Sequence, residues 1–155
     1  MLRVVALLLA ALAASVSAAS GGSNCGTAGY EASISTVTLS PLQPIKGQPA
    51  TLNATGTLNA AITGGAATLT VQLEGVNLFS HPANTCGATT INFPLNFGSA
   101  TINGIACPAS AGASIAPGMS IVLPAAAPSG QYTVKIDSQD TTSKEVFCIQ
   151  ADFTL

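Results

Sequence analysis

Gln131-Tyr132-Thr133-Val134-Lys135-Ile136-Asp137, introduced by Pro128-Ser129-Gly130, places an apolar side chain at every second position and a polar one between. Successive side chains of an extended chain point to opposite faces, whereas a helix brings apolar positions together every three or four residues. The stretch therefore reads as a strand with one dry face. The same alternation runs outward through the chain. From Thr51 to Ile62, Leu52, Ala54, Gly56, Leu58, Ala60 and Ile62 alternate with Thr51, Asn53, Thr55, Thr57 and Asn59. Leu69, Val71 and Leu73 alternate with Thr68, Thr70, Gln72 and Glu74, and Phe147, Ile149, Ala151, Phe153 and Leu155 form the odd face of the last segment. Ile91, Phe93, Leu95 and Phe97 alternate with Asn92, Pro94 and Asn96. Pro94 would put that strand on an edge, because proline cannot donate to a ladder. Tyr30 to Ser40 changes phase between Ile34 and Val37, as a bulge requires, and Met119 to Leu123 supplies a short seventh strand. Gly- and Pro-rich turns separate these pieces. The expectation is an all-β sandwich of about seven antiparallel strands in two sheets.

Of the 155 residues, 6% are charged and 48% apolar. Ordinary globular chains are about one quarter charged. Four Lys and Arg provide no basic stripe to displace counterions from phosphate, which argues against nucleic-acid binding, and the low charge argues against a disordered polyelectrolyte. Part of the apolar excess lies at the start. Arg3 precedes an apolar run from Val4 to Ala14 that ends in Ser15-Val16-Ser17-Ala18-Ala19. The run is too short to span roughly 30 Å of hydrocarbon, and its small-residue end suits cleavage after Ala18 or Ala19. Residues 1–19 thus read as a signal peptide and residues 20–155 as the mature domain. Lys46, Lys135 and Lys144 then face six acidic residues, a net charge of minus three.

Cys25, Cys86, Cys107 and Cys148 in an exported chain imply two disulfides, for which three pairings exist. Cys25 precedes the first strand-like segment and Cys148 lies in the last, while Cys86 and Cys107 bracket one uncharged stretch. This order favours nested bridges, Cys25 with Cys148 and Cys86 with Cys107. The outer one restricts nearly the whole unfolded chain and should contribute roughly 4 kcal/mol. No C-x-x-C pair points to redox chemistry or metal binding.

Catalytic signatures are sparse. His81 is the only histidine, and no G-x-S-x-G elbow presents a serine to it. Asp137 and Asp140 lie in a Ser/Thr-rich run that reads as a polar hairpin turn rather than a cation loop. Asn53-Ala54-Thr55 is an N-glycosylation acceptor with Asn53 on the polar face of its strand. Between Glu74 and Lys135 there is no Asp, Glu, Lys or Arg over about 60 residues. A composition bias would produce this, and so would a sandwich whose interior meets an apolar ligand, where a charge would lose its hydration.

Several pieces resemble a known family in their order. Pro44-Ile45-Lys46-Gly47, Cys107-Pro108, Pro117-Gly118, Leu123-Pro124, Pro128-Ser129-Gly130-Gln131-Tyr132-Thr133-Val134 and Phe147-Cys148 follow one another as in the ML lipid-recognition domain. The likeness runs from Cys25 to Phe153 and is similar to the branch containing Niemann-Pick type C2 sterol carriers and fungal phosphatidylglycerol/phosphatidylinositol transfer proteins. It implies an immunoglobulin-like sandwich with an apolar cavity between its sheets, no cofactor and no reaction, and it implies the same nested bridges. The third, short-loop bridge of the animal sterol carriers is absent, and the loop from Cys86 to Cys107 is longer than theirs. The implied function is secreted or endolysosomal lipid transfer, with a sterol or phospholipid as ligand and transient contact with membrane surfaces. The inward row Leu69, Leu73, Ile91, Phe93, Phe97, Ile121, Tyr132, Val134 and Ile136 holds the candidate lipid-lining residues. A secreted adhesion or structural sandwich with a filled core is the alternative.

Overall fold

The structure, a computed structural model, describes residues 20–155 apart from position 97. The expected signal peptide, residues 1–19, lies outside the described residues. The strands in chain order are β1 (Gly21–Asn24), β2 (Ala32–Ser40), β3 (Pro49–Leu58), β4 (Gly65–Leu73), β5 (Val76–Asn84), β6 (Ala88–Asn92), β7 (Ser99–Asn103), β8 (Ser114–Ile115), β9 (Gly118–Val122), β10 (Gln131–Asp140) and β11 (Glu145–Thr154). They form two antiparallel sheets, ordered β1-β11-β10-β4-β5 and β2-β3-β9-β7-β6, with β8 added beside β3. The sandwich expected from alternation is present, with eleven strands rather than about seven.

The differences have local causes. β1 and β8 are four and two residues long, too short to show a period. β5 hides its alternation because the register with β4 shifts between Val71 and Gln72. The stretch from Ile91 to Phe97 is not one strand. β6 ends at Asn92, Pro94–Asn96 forms a single 3₁₀ turn in which Leu95 has φ 56°, and β7 leaves in the opposite direction. Pro94 therefore lies in the reversal rather than within a strand, and β6, which leads into it, is an edge strand as the proline suggested. Gly98 completes the reversal with φ 110°, where a Cβ would collide with the Val122 carbonyl oxygen. The bulge expected in β2 is present, between Ile34 and Thr36.

Alternation decides the core. On β10 the buried residues are Tyr132, Val134, Ile136 and Ser138, with the intervening side chains half-exposed. Leu69 and Val71 of β4, Phe147, Ile149 and Phe153 of β11, Leu52 and Leu58 of β3 and Met119 and Ile121 of β9 complete a continuous layer between the sheets. Each such side chain contributes about 1.5–3 kcal/mol by leaving water. The β4–β5 turn uses Glu74 and Gly75 at φ 51° and 77°, the left-handed pair that matches the twist of a two-residue hairpin. Glu74 also ties that hairpin to the next strand, since its carboxylate accepts the Gln131 N–H at 2.6 Å.

Both disulfides join as the residue order suggested, Cys25 to Cys148 and Cys86 to Cys107. Beside the inner bridge is a buried polar pin. Thr85, fully buried, donates its hydroxyl to the Gln139 carbonyl at 2.7 Å and accepts from the buried Ser138 hydroxyl at 2.9 Å. The Thr85 backbone meets Gly65 on β4 and Ile105 beyond β7. One threonine thus joins the end of β10 to the chain that crosses from one sheet to the other.

Thr85→Val is nearly isosteric and leaves the Ser138 hydroxyl without a partner, so it should destabilise the fold by about 1–3 kcal/mol. Thr85→Val/Ser138→Ala removes both groups and should lose less than the sum of the single variants. Urea unfolding of the four proteins of that double-mutant cycle checks it.

Candidate functional site

At the end of the sandwich that holds the β4–β5 turn, the inter-sheet layer is not filled. A cavity of about 330 Å³ opens there. One wall is Val71 and Leu73 of β4, Leu78 and Phe79 of β5 and Tyr132 of β10. The other is Phe93 to Leu95 in the β6–β7 turn, with Leu123, Pro124, Ala127 and Pro128 from the segment after β9.

Local sequence explains why the space stays open. The segment after β9 is Leu123-Pro124-Ala125-Ala126-Ala127-Pro128, closed into a turn by the Ala127 N–H on the Pro124 carbonyl at 2.9 Å. Alanine and proline cannot reach across to the facing sheet as a leucine would. Opposite them, the bulge in β5 leaves Leu78 unpaired beside Phe79, and the Asn77 carboxamide oxygen fixes it by accepting the Phe79 N–H at 3.0 Å. Two successive residues therefore face the cleft where a regular strand would present one. Phe79 meets Phe93 across the gap between the sheets, with ring centroids 4.7 Å apart, and closes the flank between edge strands β5 and β6.

Among the described residues, Tyr132 is the one ionisable group on the walls. Its hydroxyl donates to the Pro128 carbonyl at 2.9 Å and its ring stacks on Phe153. Burial pushes its phenol above the ordinary tyrosine value. The cleft carries no charge and offers apolar surface to its contents.

Of the nine residues expected to line a cavity, Leu73, Phe93 and Tyr132 lie on these walls. Leu69, Ile91, Ile121, Val134 and Ile136 are buried in the close-packed layer deeper in the sandwich and do not line the cleft. Phe97 lies outside the described residues. Val71 was visible in the alternation as a core residue, but Leu78 and Phe79 were hidden by the bulge. Leu123 ends the expected seventh strand, and Pro124, Ala127 and Pro128 belong to a segment with no period.

The remaining candidates have structural work. His81 lies within β5, with Nδ1 2.7 Å from the Pro82 carbonyl oxygen and its ring stacked on Phe79. The Asp140 carboxylate accepts from the Lys144 N–H at 2.9 Å and from the Thr142 N–H and hydroxyl at 2.7 and 2.8 Å. The Lys144 N–H, followed by Thr142, holds its pKa below the ordinary aspartate range. It is the cap of its own hairpin turn. Among the described residues, no group of three or more His, Cys, Asp or Glu could hold a metal ion.

The ML domain family model matches residues 20–155. A Dictyostelium discoideum protein named "Putative phosphatidylglycerol/phosphatidylinositol transfer protein" is 32% identical over 133 residues, 86% of this chain and 84% of the relative. A second from the same organism, "Putative phosphatidylglycerol/phosphatidylinositol transfer protein 2", is 28% identical over the same shares. Among solved structures, a Niemann-Pick type C2 protein from the Japanese carpenter ant superposes with TM-score 0.60 at 13% identity, covering 85% of this chain and 96% of that one. Chicken MD-1 complexed with lipid IVa gives TM-score 0.53 at 14% identity, covering 86% and 87%. Both share the sandwich fold.

The division between filled core and open cleft has a measurable consequence. Val134→Phe inserts a ring where the packing is complete and should destabilise by about 1–3 kcal/mol. Ala127→Phe directs the same ring toward free space and should cost well under half of that. Thermal melts of both variants beside the parent protein decide it.

Proposed function

The chain belongs to the ML domain family, and from that premise we propose that it is a non-enzymatic carrier that holds a lipid tail between its sheets and transfers it between membranes. The observation that carries this reading is the uncharged cleft walled by Leu73, Phe79, Phe93 and Tyr132. Each methylene moved from water into such a site contributes about 0.8 kcal/mol, so one acyl chain binds tightly after ordering costs. A volume of about 330 Å³ stands at the lower end of the roughly 300–1,000 Å³ typical of ligand sites. That size suits one acyl chain of a phospholipid with its head group outside, and the names of the Dictyostelium relatives favour phospholipid over sterol. The site of action is the secretory or endolysosomal lumen, reached through cleavage of residues 1–19. Asn53, exposed on β3, carries an N-glycan when the chain passes through a eukaryotic secretory pathway.

Lipid-stripped protein should bind a fluorescent fatty-acyl probe saturably, and Ala127→Phe should weaken that binding by about ten-fold or more through occupation of the same space. Mass spectrometry of an organic extract of the purified protein should identify a phospholipid. No saturable binding by the parent, with no co-purifying lipid, would favour a filled adhesion sandwich instead.

For Asn53, the outcome expected from a eukaryotic secretory host is a mass that falls on glycosidase treatment and a glycan lost in Asn53→Gln. An unchanged mass removes the assignment.

A further inference from the structure

Five large apolar side chains are exposed among the described residues, Leu42, Ile45, Val76, Leu78 and Leu95. All five lie at one end of the sandwich, the end where the cleft opens. Leu78 and Leu95 stand on its opposite walls, and Val76 follows the β4–β5 turn. Leu42 and Ile45 belong to the β2–β3 loop, which is fastened to the alanine-proline wall by the Gly47 N–H on the Leu123 carbonyl at 2.7 Å and by Lys46 Nζ on the Ser129 hydroxyl at 2.9 Å. Leu95 is 89% exposed, in a left-handed conformation that glycine or asparagine adopts more easily. Neither burial nor backbone geometry calls for leucine there.

Charge is distributed in the opposite sense. At the cleft end the described charges are Lys46 and Glu74, each occupied by a hydrogen bond within the protein, with Asp152 behind them on the outer face of β11, held by Thr133 and Gln150. Glu31, Asp140, Lys144 and Glu145 lie at the far end. An end with a ring of leucine, isoleucine and valine matches the acyl boundary of a bilayer, and a single lysine, offset by Glu74 and Asp152, does not suit attraction to anionic head groups.

We infer that this end inserts into the lipid bilayer, with Leu42, Ile45, Val76, Leu78 and Leu95 entering the acyl boundary, and that docking is hydrophobic rather than electrostatic. The inference rests on the carrier function proposed above and adds to it the mode and orientation of membrane contact. The orientation sets the cleft mouth against the membrane, so a tail passes between protein and bilayer without crossing water.

The chain contains no tryptophan, so Leu95→Trp and, in parallel, Val76→Trp each supply a single fluorescent reporter. With phosphatidylcholine vesicles the emission should shift to the blue and be quenched by brominated acyl chains. Adding phosphatidylserine or raising the salt should change vesicle binding by less than about two-fold. Leu42→Asp/Ile45→Asp should slow probe transfer between vesicles by about ten-fold or more while leaving probe binding in solution unchanged. The inference is overturned if neither tryptophan responds to vesicles, if binding requires phosphatidylserine and vanishes in salt, or if the tryptophans are buried by a dimer seen in sedimentation without vesicles. Loss of probe binding by the parent protein in solution is the separate result that would remove the carrier reading itself.

Discussion

Both covalent crosslinks lie toward the same end of the sandwich, and the rest of the molecule follows from that placement. Cys25–Cys148 fastens the chain before β2 to β11, and Cys86–Cys107 fastens the crossing between the sheets. The Thr85–Ser138–Gln139 hydrogen bonds stand beside the second bridge. At this end the two sheets cannot part. At the other, among the described residues, no disulfide joins them; side-chain packing, a few hydrogen bonds such as Lys46 to Ser129 and Tyr132 to Pro128, and turns made of small or ring-closed residues hold them together. A single core therefore has a closed part, where Val134 and Ile136 are fully buried, and an open part a few residues along the same strands.

That gradient allows a cavity in an otherwise close-packed protein. A void between rigid neighbours loses dispersion contacts on every side, and flexible side chains normally collapse into it. Here the walls resist collapse. Tyr132 is held by the Pro128 carbonyl and the Phe153 ring, Leu78 and Phe79 by the bulge, and the facing segment has only alanine and proline to offer. The result is an apolar space that stays open between the sheets.

The sequence made the sheet architecture readable wherever one face of a strand is dry along its whole length, as in β3, β4, β10 and β11. It failed where the backbone departs from period two. The bulge at Leu78 puts adjacent residues toward one space, and Pro94 breaks a run of alternating large apolar residues that looks like a strand on paper. The bridges were legible because their order along the chain allows few pairings. The cleft was legible only in part, through Leu73, Phe93 and Tyr132. Alternation tells which side of a strand faces the other sheet, not how far away that sheet is, so Val134 and Tyr132 look equivalent although one is packed and the other borders a void.

The uncharged stretch from Gly75 to Val134 includes both edge strands on the cleft side, β5 and β6. Edge strands usually discourage the addition of foreign strands with lysines, and neither of these has one. Other devices replace them. β5 is interrupted by its bulge at Leu78 and by Pro82, which has no N–H to offer a new partner, while β6 is only five residues long and ends in a reversal. The irregularity that shapes one wall of the cleft thus also makes an uncharged edge a poor template for fibrils.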